Sequence, residues 1–420
     1  MAAMSFLSSK SIQKTVALTG IALTVICVLS WSQLNPNAGY FLYTSKGRHA
    51  VDEGSSRTSL AVQDNLYDVQ NETLGFQNVF VLSLKERLDK RDAFSLSASL
   101  TGFRFDFIDG VVGSEMPDKS LPVGWDRPKM SDKLLGCYRA HMNFAQTIVK
   151  NRLSTAMVFE DDSDWDVHFK SQLLEYARGT RYILNASTAD TAANSKFKDA
   201  YASSDNEDSE PKDAYASADK EDSEDTDVKS TSVSADFNPP HSPYGDDWDM
   251  LWLGHCSASV NSADPRKYVI PHDKTVAPPK NRVNFGAIPD MSAWPNNTRI
   301  VFEAEAGVCL YGYALSLRGA QKFLYYLSLH PFNTAVDLGI REMCQDRSRD
   351  FRCVAVFPQL VDSHKAAGPQ SRDSDIGKPP DENREKGFTY NIKYSTRLNW
   401  NKLMNGQSDY DAQFDDIVEA

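Results

Sequence analysis

The stretch AMVFEDDSDWD, at residues 156–166, joins a short apolar run to a dense cluster of carboxylates. The apolar run predicts a buried β-strand, and the carboxylates follow at its carboxyl end. Residues two apart in a strand point the same way, so Glu160 and Asp162 are expected to converge. Carboxylates this close repel one another unless a cation lies among them. Because ligands of open α/β sheets bind at the carboxyl ends of strands, the stretch predicts a ligand site at that edge.

Glu160 and Asp162 are the predicted metal ligands. Mn²⁺ or Mg²⁺ is the expected ion, since both prefer oxygen ligands and often bridge to the phosphates of a substrate. Asp164 and Asp166 have a second interpretation, in which they cap and charge the start of a helix at residues 167–177. Both interpretations stay open for these two aspartates.

The segments on either side of this stretch alternate between strands and helices, which is typical of an α/β domain with a mostly parallel sheet. The apolar patterns predict strands at 78–84, 103–108, 248–253, 308–315 and 351–357, and helices at 86–99, 134–150 and 316–329.

A polar, acidic insertion at 186–245 interrupts the alternation. Within it, KDAYASSDNEDSE at 198–210 and KDAYASADKEDSE at 212–224 repeat one another. Such a composition buries too little apolar surface to offset chain entropy, so the insertion is predicted to be disordered inside one domain. The net charge of the chain is −12, most of it in this insertion. The chain has no basic patch, which argues against a nucleic-acid partner.

An uncharged apolar run, TVALTGIALTVICVLSW, lies at residues 15–31. Its length is at the short end for a membrane-spanning helix. Lys10 and Lys14 precede the run and no Lys or Arg follows before Lys46, which predicts a cytosolic N-terminus and a lumenal body. A cleavable signal peptide is the alternative. We therefore expect a single-pass type II protein of the Golgi or endoplasmic reticulum membrane.

These features define a predicted domain organisation. Its parts are a cytosolic tail at 1–14, a transmembrane anchor at 15–31, a stem at 32–77, an α/β domain at 78–378 interrupted by the insertion at 186–245, and a C-terminal extension at 379–420.

The cysteines outside the apolar run predict disulfides in the body of the protein. Cys344 and Cys353 are close enough in sequence to close a local loop, and Cys256 with Cys309 is the second candidate pair. Cys137 lies in an apolar helical stretch and is predicted to be a buried free thiol. No cysteine spacing indicates a zinc site.

Several short segments, in their shared order, resemble glycosyltransferase family 25, the lipopolysaccharide and procollagen β-galactosyltransferase group. They are VLSLKERLDKR at 81–91, LGCYRAH at 135–141, VFEDD at 158–162, WDMLWLG at 248–254, YGYALSLRGA at 311–320, PQL at 358–360 and SDI at 374–376. Ala140 departs from the pattern, because the family usually has Ser before this His.

The resemblance implies a GT-A-type, Rossmann-like sandwich and an inverting transfer of a hexose. The implied donor is a UDP-sugar, with galactose as the sugar, and the implied acceptor is a hydroxyl of a glycan or protein. A divalent cation held by Glu160 and Asp162 would offset the charge of the departing diphosphate.

The implied site contains catalytic and donor-binding residues. Asp162 and Asp337 are the catalytic candidates, with Asp337 as the base for the acceptor hydroxyl or, alternatively, as a helix cap. The donor-binding candidates are Arg87, Arg91, Asp109, His141 and Asp161. The arginines would donate to phosphates, or else lie on an exposed helix face. His141 would touch the donor or be a core histidine.

Two other functions fit the same residues. One is a catalytically inactive, membrane-tethered protein that binds sugar or nucleotide. The other is a metal-dependent phosphohydrolase that uses the acidic cluster.

Overall fold

The structure, a computed structural model, describes residues 64–128, 130–185, 241–377 and 380–415. The predicted tail, the apolar run, most of the predicted stem and both acidic repeats lie outside these residues. Within the described ranges, no helix is both long enough and apolar enough to cross a membrane.

Strands and helices alternate through the first half of the described chain and mix more freely in the second. The strands are β1 Asn78–Ser83, β2 Asp106–Asp109, β3 Thr155–Glu160, β4 Ser163–Trp165, β5 Met250–Gly254, β6 Ser257–Val260, β7 Lys267–Ile270, β8 Arg299–Val308, β9 Gly312–Ser316, β10 Cys353–Phe357, β11 Val361–Lys365, β12 Gly368–Pro369, β13 Asn383–Arg384 and β14 Phe388–Thr389. The helices are α1 Leu88–Leu100, α2 Asp132–Asn151, α3 Phe169–Asn185, α4 Leu317–Leu324, α5 Val336–Gln345 and α6 Trp400–Met404.

The central sheet has the strand order β2-β1-β3-β9-β5-β10-β8-β6, with β7 also paired to β8. β1 pairs in parallel with β2 and β3, and β5 pairs in parallel with β10. β9 lies antiparallel between β3 and β5, and β8 runs antiparallel to β10. The sheet is thus largely parallel in direction, which confirms the predicted Rossmann-like α/β class.

The predicted single strand at 308–315 is wrong, because the chain turns inside it. β8 ends at Val308 and β9 begins at Gly312. Between them Cys309 adopts a left-handed conformation, with φ of 65°. A left-handed residue changes the direction of the backbone. The residues on both sides of the turn are apolar, so the apolar pattern did not indicate where one strand ends and the next begins.

The sheet is covered by helices on both faces. Along β1, Phe80 and Leu82 pack into one apolar cluster with α2, α4 and α5, while Val79 and Val81 pack into another with α1 and α3. Alternate residues of a strand point to opposite faces, so a strand buried on both sides is apolar throughout. This explains why the predicted strands were continuous apolar runs.

The ordered domain begins before the predicted boundary at residue 78. Leu66, Val69, Leu74 and Phe76 are buried in the cluster that contains α1 and α3. At the other end, Phe388–Thr389 pairs with β11, so part of the predicted C-terminal extension completes a small sheet. These two segments contain too few apolar residues to show the periodic pattern of a strand or a helix. The sequence therefore predicted that they lie outside the domain.

Both predicted disulfides are present. Cys256 is bonded to Cys309, and Cys344 is bonded to Cys353. Cys137 is a free thiol, as predicted, but it is half-buried rather than buried. Bonded cysteines are typical of proteins that fold in an oxidising compartment.

Candidate active site

A pocket of about 300 Å³ opens at the carboxyl ends of β1 and β3. Its walls are residues 82–84, the loop at 110–114, one face of α2, the acidic residues 160–162 and the segment 374–376. β1 pairs Leu82 with Glu160 and Ser83 with Asp109, so the ends of three parallel strands lie side by side. The pocket therefore occupies the sheet edge that the sequence predicted.

Glycine allows helix α2 to form the pocket wall. A Cβ atom on Gly136 would lie 2.3 Å from the backbone oxygen of Val111, in the loop that follows β2. No side chain fits at such a distance, so this residue lets the helix and the loop approach closely. The next residue, Cys137, and His141 one turn later then line the pocket.

Glu160 is the last residue of β3, and its carboxylate faces α2. Its Oε1 lies 3.5 Å from Nε2 of His141, whose Nδ1 lies 3.0 Å from the hydroxyl of Tyr313. The His141 side chain is buried, yet it borders the pocket. It is therefore placed where the predicted donor-contact role would require it.

Asp161 points towards β1 and α1. Its Oδ2 accepts a hydrogen bond of 2.8 Å from the Ser83 hydroxyl, and its Oδ1 lies 3.1 Å from Nζ of Lys90. Burial raises the pKa of Asp161 to about 6, although the charge of Lys90 opposes that shift. Asp161 thus carries a proton more readily than an exposed aspartate.

Asp162 has one carboxylate oxygen in use and one free. Oδ2 accepts a hydrogen bond of 3.0 Å from the Ser363 hydroxyl. Oδ1 is buried and has no hydrogen-bond partner among the described residues. Leaving a buried carboxylate oxygen unsatisfied is costly, so this atom fits a ligand that the protein does not itself supply.

Glu160 and Asp162 both line the pocket, but not for the reason that was predicted. The strand ends at Glu160, and a turn separates it from β4. Alternation along a continuous strand is therefore not the reason that both residues line the pocket. The turn instead brings Glu160, Asp161 and Asp162 to the wall of the pocket, where each has different partners.

Lys90 is a pocket residue that the sequence analysis missed. Its side chain is only 11% exposed, and its Nζ lies 3.1 Å from both Asp161 and Asp375 and 4.0 Å from Asp162. Burial disfavours the charged ammonium, but these carboxylates outweigh burial and raise the pKa of Lys90. The only sequence signal was its position one turn after Arg87, which puts both side chains on the same helix face.

Arg87 and Arg91 lie beside the pocket and are held by carboxylates. Arg87 pairs with Asp89 and with Asp375. Arg91 pairs with Asp109 at 2.7 Å and stacks over the Phe107 ring at 4.5 Å. Neither arginine lies on an exposed helix face, since their side chains are 16% and 19% exposed.

Asp109 and Asp337 are also outside the pocket wall. Asp109 sits between Arg91 and Lys85. Asp337, near the start of α5, accepts backbone hydrogen bonds from Cys309 at 3.1 Å and from Leu338 at 2.9 Å. The carboxylate of Asp337 therefore supports the turn between β8 and β9, and the alternative that it caps the helix is wrong, because Ala335 is at the cap position and no side chain caps the helix.

Asp164 and Asp166 have different roles. Asp166 accepts the backbone N–H of His168 just before α3, as the capping interpretation predicted. Asp164 is buried and accepts hydrogen bonds from Thr389 and Ser395, so it anchors the C-terminal segment instead. Neither aspartate lines the pocket.

A buried acid, Asp362, lies on β11 opposite Asp164, one residue before the Ser363 that contacts Asp162. It accepts hydrogen bonds from the Asn391 amide at 2.6 Å, the Gln359 amide at 3.0 Å and the Ser363 backbone at 2.7 Å. Burial raises the pKa of Asp362 from 3.8 to about 7. The amide oxygens of Gln359 and Asn391 have no partner among the described residues, so a flipped amide places an oxygen where it accepts a hydrogen bond from protonated Asp362.

We expect Asp362→Asn to stabilise the protein increasingly as the pH rises from about 4 to about 7. The folded state keeps the proton on Asp362 in this range while the unfolded state loses it, so the wild-type carboxyl costs stability as pH rises. Each unit of pKa difference corresponds to about 1.4 kcal/mol. Urea unfolding of both proteins at several pH values measures the difference.

Asp264→Asn is the matched control for this experiment. The Arg266 side chain lowers the pKa of Asp264, so its contribution to stability is present above its ordinary pKa and is lost as the pH falls. Between pH 4 and pH 7 the contribution of Asp264 is already fully present, so the stability difference of Asp264→Asn from wild type should stay nearly constant while that of Asp362→Asn grows with pH. A constant difference between wild type and Asp362→Asn across this range would contradict the assignment.

The segment that supplies most of the pocket wall is similar to known proteins. Residues 76–234 match the family model described as glycosyltransferase family 25 (LPS biosynthesis protein). The match confirms the resemblance inferred from the sequence.

Some relatives that match the chain are named as galactosyltransferases and another is named as inactive, and all match over a similar length. Procollagen galactosyltransferase 1-A of Xenopus laevis is 30% identical over 112 residues, which are 24% of this chain and 18% of the relative. The inactive glycosyltransferase 25 family member 3 of Homo sapiens is 29% identical over 111 residues, covering 24% and 19%. Procollagen galactosyltransferase 2 of Homo sapiens is 24% identical over 113 residues, covering 24% and 18%. The matched segment is thus under a fifth of the length of these relatives.

Proposed function

Because residues 76–234 carry the signature of glycosyltransferase family 25, we propose that this protein transfers a hexose from a UDP-sugar to a hydroxyl of a glycan or protein. Galactose is the proposed sugar, since two of the similar relatives are named galactosyltransferases. The observation that carries the proposal is the pocket at the strand ends, where Asp162 presents a buried oxygen without a partner.

The charge of the pocket supports a metal-dependent reaction. Five carboxylates line it, those of Asp132, Glu160, Asp161, Asp162 and Asp375, against two ammonium groups, those of Lys90 and Lys133. Lys90 is already neutralised by its carboxylate neighbours. A nucleotide diphosphate would therefore meet a net negative wall, and binding requires a further positive charge.

Glu160 and Asp162 are the proposed holders of Mn²⁺ or Mg²⁺. Their oxygen ligands suit these hard cations, and the free Oδ1 of Asp162 fits such a role. When bound, the ion supplies charge that offsets the leaving diphosphate. Asp161 accepts a hydrogen bond from Ser83 and pairs with Lys90, and these contacts fix the position of the acidic residues 160–162.

The position of Asp337 changes its proposed role. Its carboxylate is taken by two backbone N–H groups and lies outside the pocket wall. We therefore assign Asp337 to positioning the β8–β9 turn, next to the disulfide at Cys309. Asp162 stays as the candidate that acts directly at the donor.

A lumenal location, with residues 15–31 as a type II anchor in the Golgi or endoplasmic reticulum membrane, remains part of the proposal. The two disulfides support it, since the secretory pathway is oxidising.

Direct transfer and binding assays test the proposed function. The full-length protein in detergent would be screened for Mn²⁺-dependent binding of UDP- and GDP-sugars and for sugar transfer or donor hydrolysis. We expect Mn²⁺-dependent binding of a UDP-hexose, lost in Glu160→Ala/Asp162→Ala. Binding without any turnover would favour the inactive sugar-nucleotide-binding alternative, which one relative's name makes relevant. No binding to any sugar nucleotide would contradict the proposal.

A further inference from the structure

A thiol, an imidazole and a carboxylate meet on one wall of the pocket. The Sγ of Cys137, a ring nitrogen of His141 and a carboxylate oxygen of Glu160 all lie within 4.8 Å of one another. This group shares Glu160 with the proposed Mn²⁺ ligands but does not contain Asp162. Its mixture of sulfur, nitrogen and oxygen atoms differs in kind from the all-oxygen pair.

Helix geometry places the first two members. Cys137 and His141 are four residues apart on α2, so their side chains lie one above the other on the same face. Glu160 at the end of β3 approaches this face. The cysteine spacing does not indicate this site, because one ligand comes from a separate strand and Cys137 is the only cysteine near it in the sequence.

The ring of His141 is oriented as a metal ligand is. Tyr313 holds Nδ1 at 3.0 Å, which leaves Nε2 to face Glu160. When Nδ1–H donates to the Tyr313 hydroxyl, Nε2 keeps its lone pair for a metal, and such a bond from the other ring nitrogen is the usual way that proteins orient a metal-bound histidine. The 3.5 Å separation of Nε2 and Oε1 is too long for a good hydrogen bond, so neither atom is committed to the other.

We propose that Cys137, His141 and Glu160 form a second cation site in this pocket, selective for Zn²⁺ over Mn²⁺ and Mg²⁺. Zn²⁺ is commonly held by three such side chains with a fourth position open, and here all three side chains line the pocket. Thiolate and imidazole ligands favour Zn²⁺, whereas Mn²⁺ and Mg²⁺ prefer oxygen. Binding releases the thiol proton of Cys137 to solvent, and the sulfur then ligates the ion as thiolate.

The shared carboxylate couples the two cation sites. Glu160 cannot serve a Zn²⁺ ion at Cys137 and His141 and keep the same oxygens on a Mn²⁺ ion at Asp162 without cost. Zn²⁺ at the new site is therefore expected to compete with the hard cation, so it would act as an inhibitor of any Mn²⁺-dependent reaction in the pocket.

Cobalt spectroscopy tests the site without any use of catalytic activity. Co²⁺ substitutes for Zn²⁺, and a bond to thiolate produces a near-ultraviolet charge-transfer band. The full-length, metal-free protein would be titrated with Co²⁺ and then with Zn²⁺. We expect one equivalent of Co²⁺ to produce the band and Zn²⁺ to abolish it, while Mn²⁺ does not.

Three variants sharpen the test. Cys137→Ser should remove the band and weaken Zn²⁺ binding at least tenfold, about 1.4 kcal/mol. His141→Gln should weaken Zn²⁺ binding to a similar extent. Asp162→Asn, which alters the same pocket outside the Cys137 group, should keep the band.

Wild-type protein without the charge-transfer band would overturn the proposal, and so would equal Zn²⁺ affinity in wild type and Cys137→Ser. Both readouts are independent of sugar transfer. Failure of the transferase proposal would therefore leave this result standing, and the reverse also holds.

Discussion

Asp162→Asn is expected to lower kcat/KM for sugar transfer by about 10²–10³-fold, the scale of losing one electrostatic group at a developing charge. The substitution keeps an oxygen that can accept from Ser363, so the local packing is retained. It removes the negative charge and the free ligand capacity of the carboxylate, whose Oδ1 is buried without a partner. Steady-state transfer assays over a range of Mn²⁺ concentrations measure the effect.

Asp106→Asn is the matched control for that variant. Asp106 is exposed at the start of β2, at the opposite end of the strand from the pocket, where it accepts a hydrogen bond from Asn78. Its replacement should leave transfer within about twofold of wild type, because exposed polar contacts contribute little. If Asp162→Asn retained full activity at limiting Mn²⁺, the assignment of Asp162 to the metal would fail.

Lys90→Met is expected to destabilise the protein by about 3–5 kcal/mol at pH 8, the scale of removing one partner from a buried ion pair. Lys90 lies within 3.1 Å of Asp161 and Asp375, and its side chain is 11% exposed. Methionine fills a similar volume but leaves the buried carboxylates without compensation. Urea unfolding, with the midpoint and slope both recorded, measures the loss.

The pH dependence of that loss separates charge from packing. Asp161, with its pKa of about 6, is mostly protonated at pH 5, so fewer uncompensated charges remain there. The destabilisation should therefore be smaller at pH 5 than at pH 8. Lys85→Met is the control, because Lys85 is 70% exposed and its pair with Asp109 should contribute under about 1 kcal/mol. Equal losses in both variants, or a loss independent of pH, would show that Lys90 acts only through packing.

Local patterns were sufficient where the physics is local. The buried strand before Glu160, the helix that carries His141 and the cap at Asp166 each depend on neighbouring residues, and each is present. The two disulfides were also found, one because its cysteines are close in sequence. For the strand, the helix, the cap and the Cys344–Cys353 disulfide, the pattern or spacing of nearby residues was enough for the prediction.

Local patterns did not reveal partners that come from distant parts of the chain. Arg87 and Arg91 have the chemistry to bind phosphate, but Asp375 and Asp109 hold them. Asp375 is separated from Arg87 by most of the domain, and no local pattern announces it. Likewise, Asp337 is a plausible base by type, yet two backbone N–H groups occupy its carboxylate.

By itself, the order of residues determined the α/β class and the acidic edge of the sheet, because apolar periodicity and charge density are properties of short segments. Only the tertiary structure decided which acids line the pocket, that Lys90 lies beneath them, and that Cys137 and His141 meet Glu160. These contacts join elements far apart in the chain. Their energies depend on distance and burial in the folded state, which a linear sequence does not express.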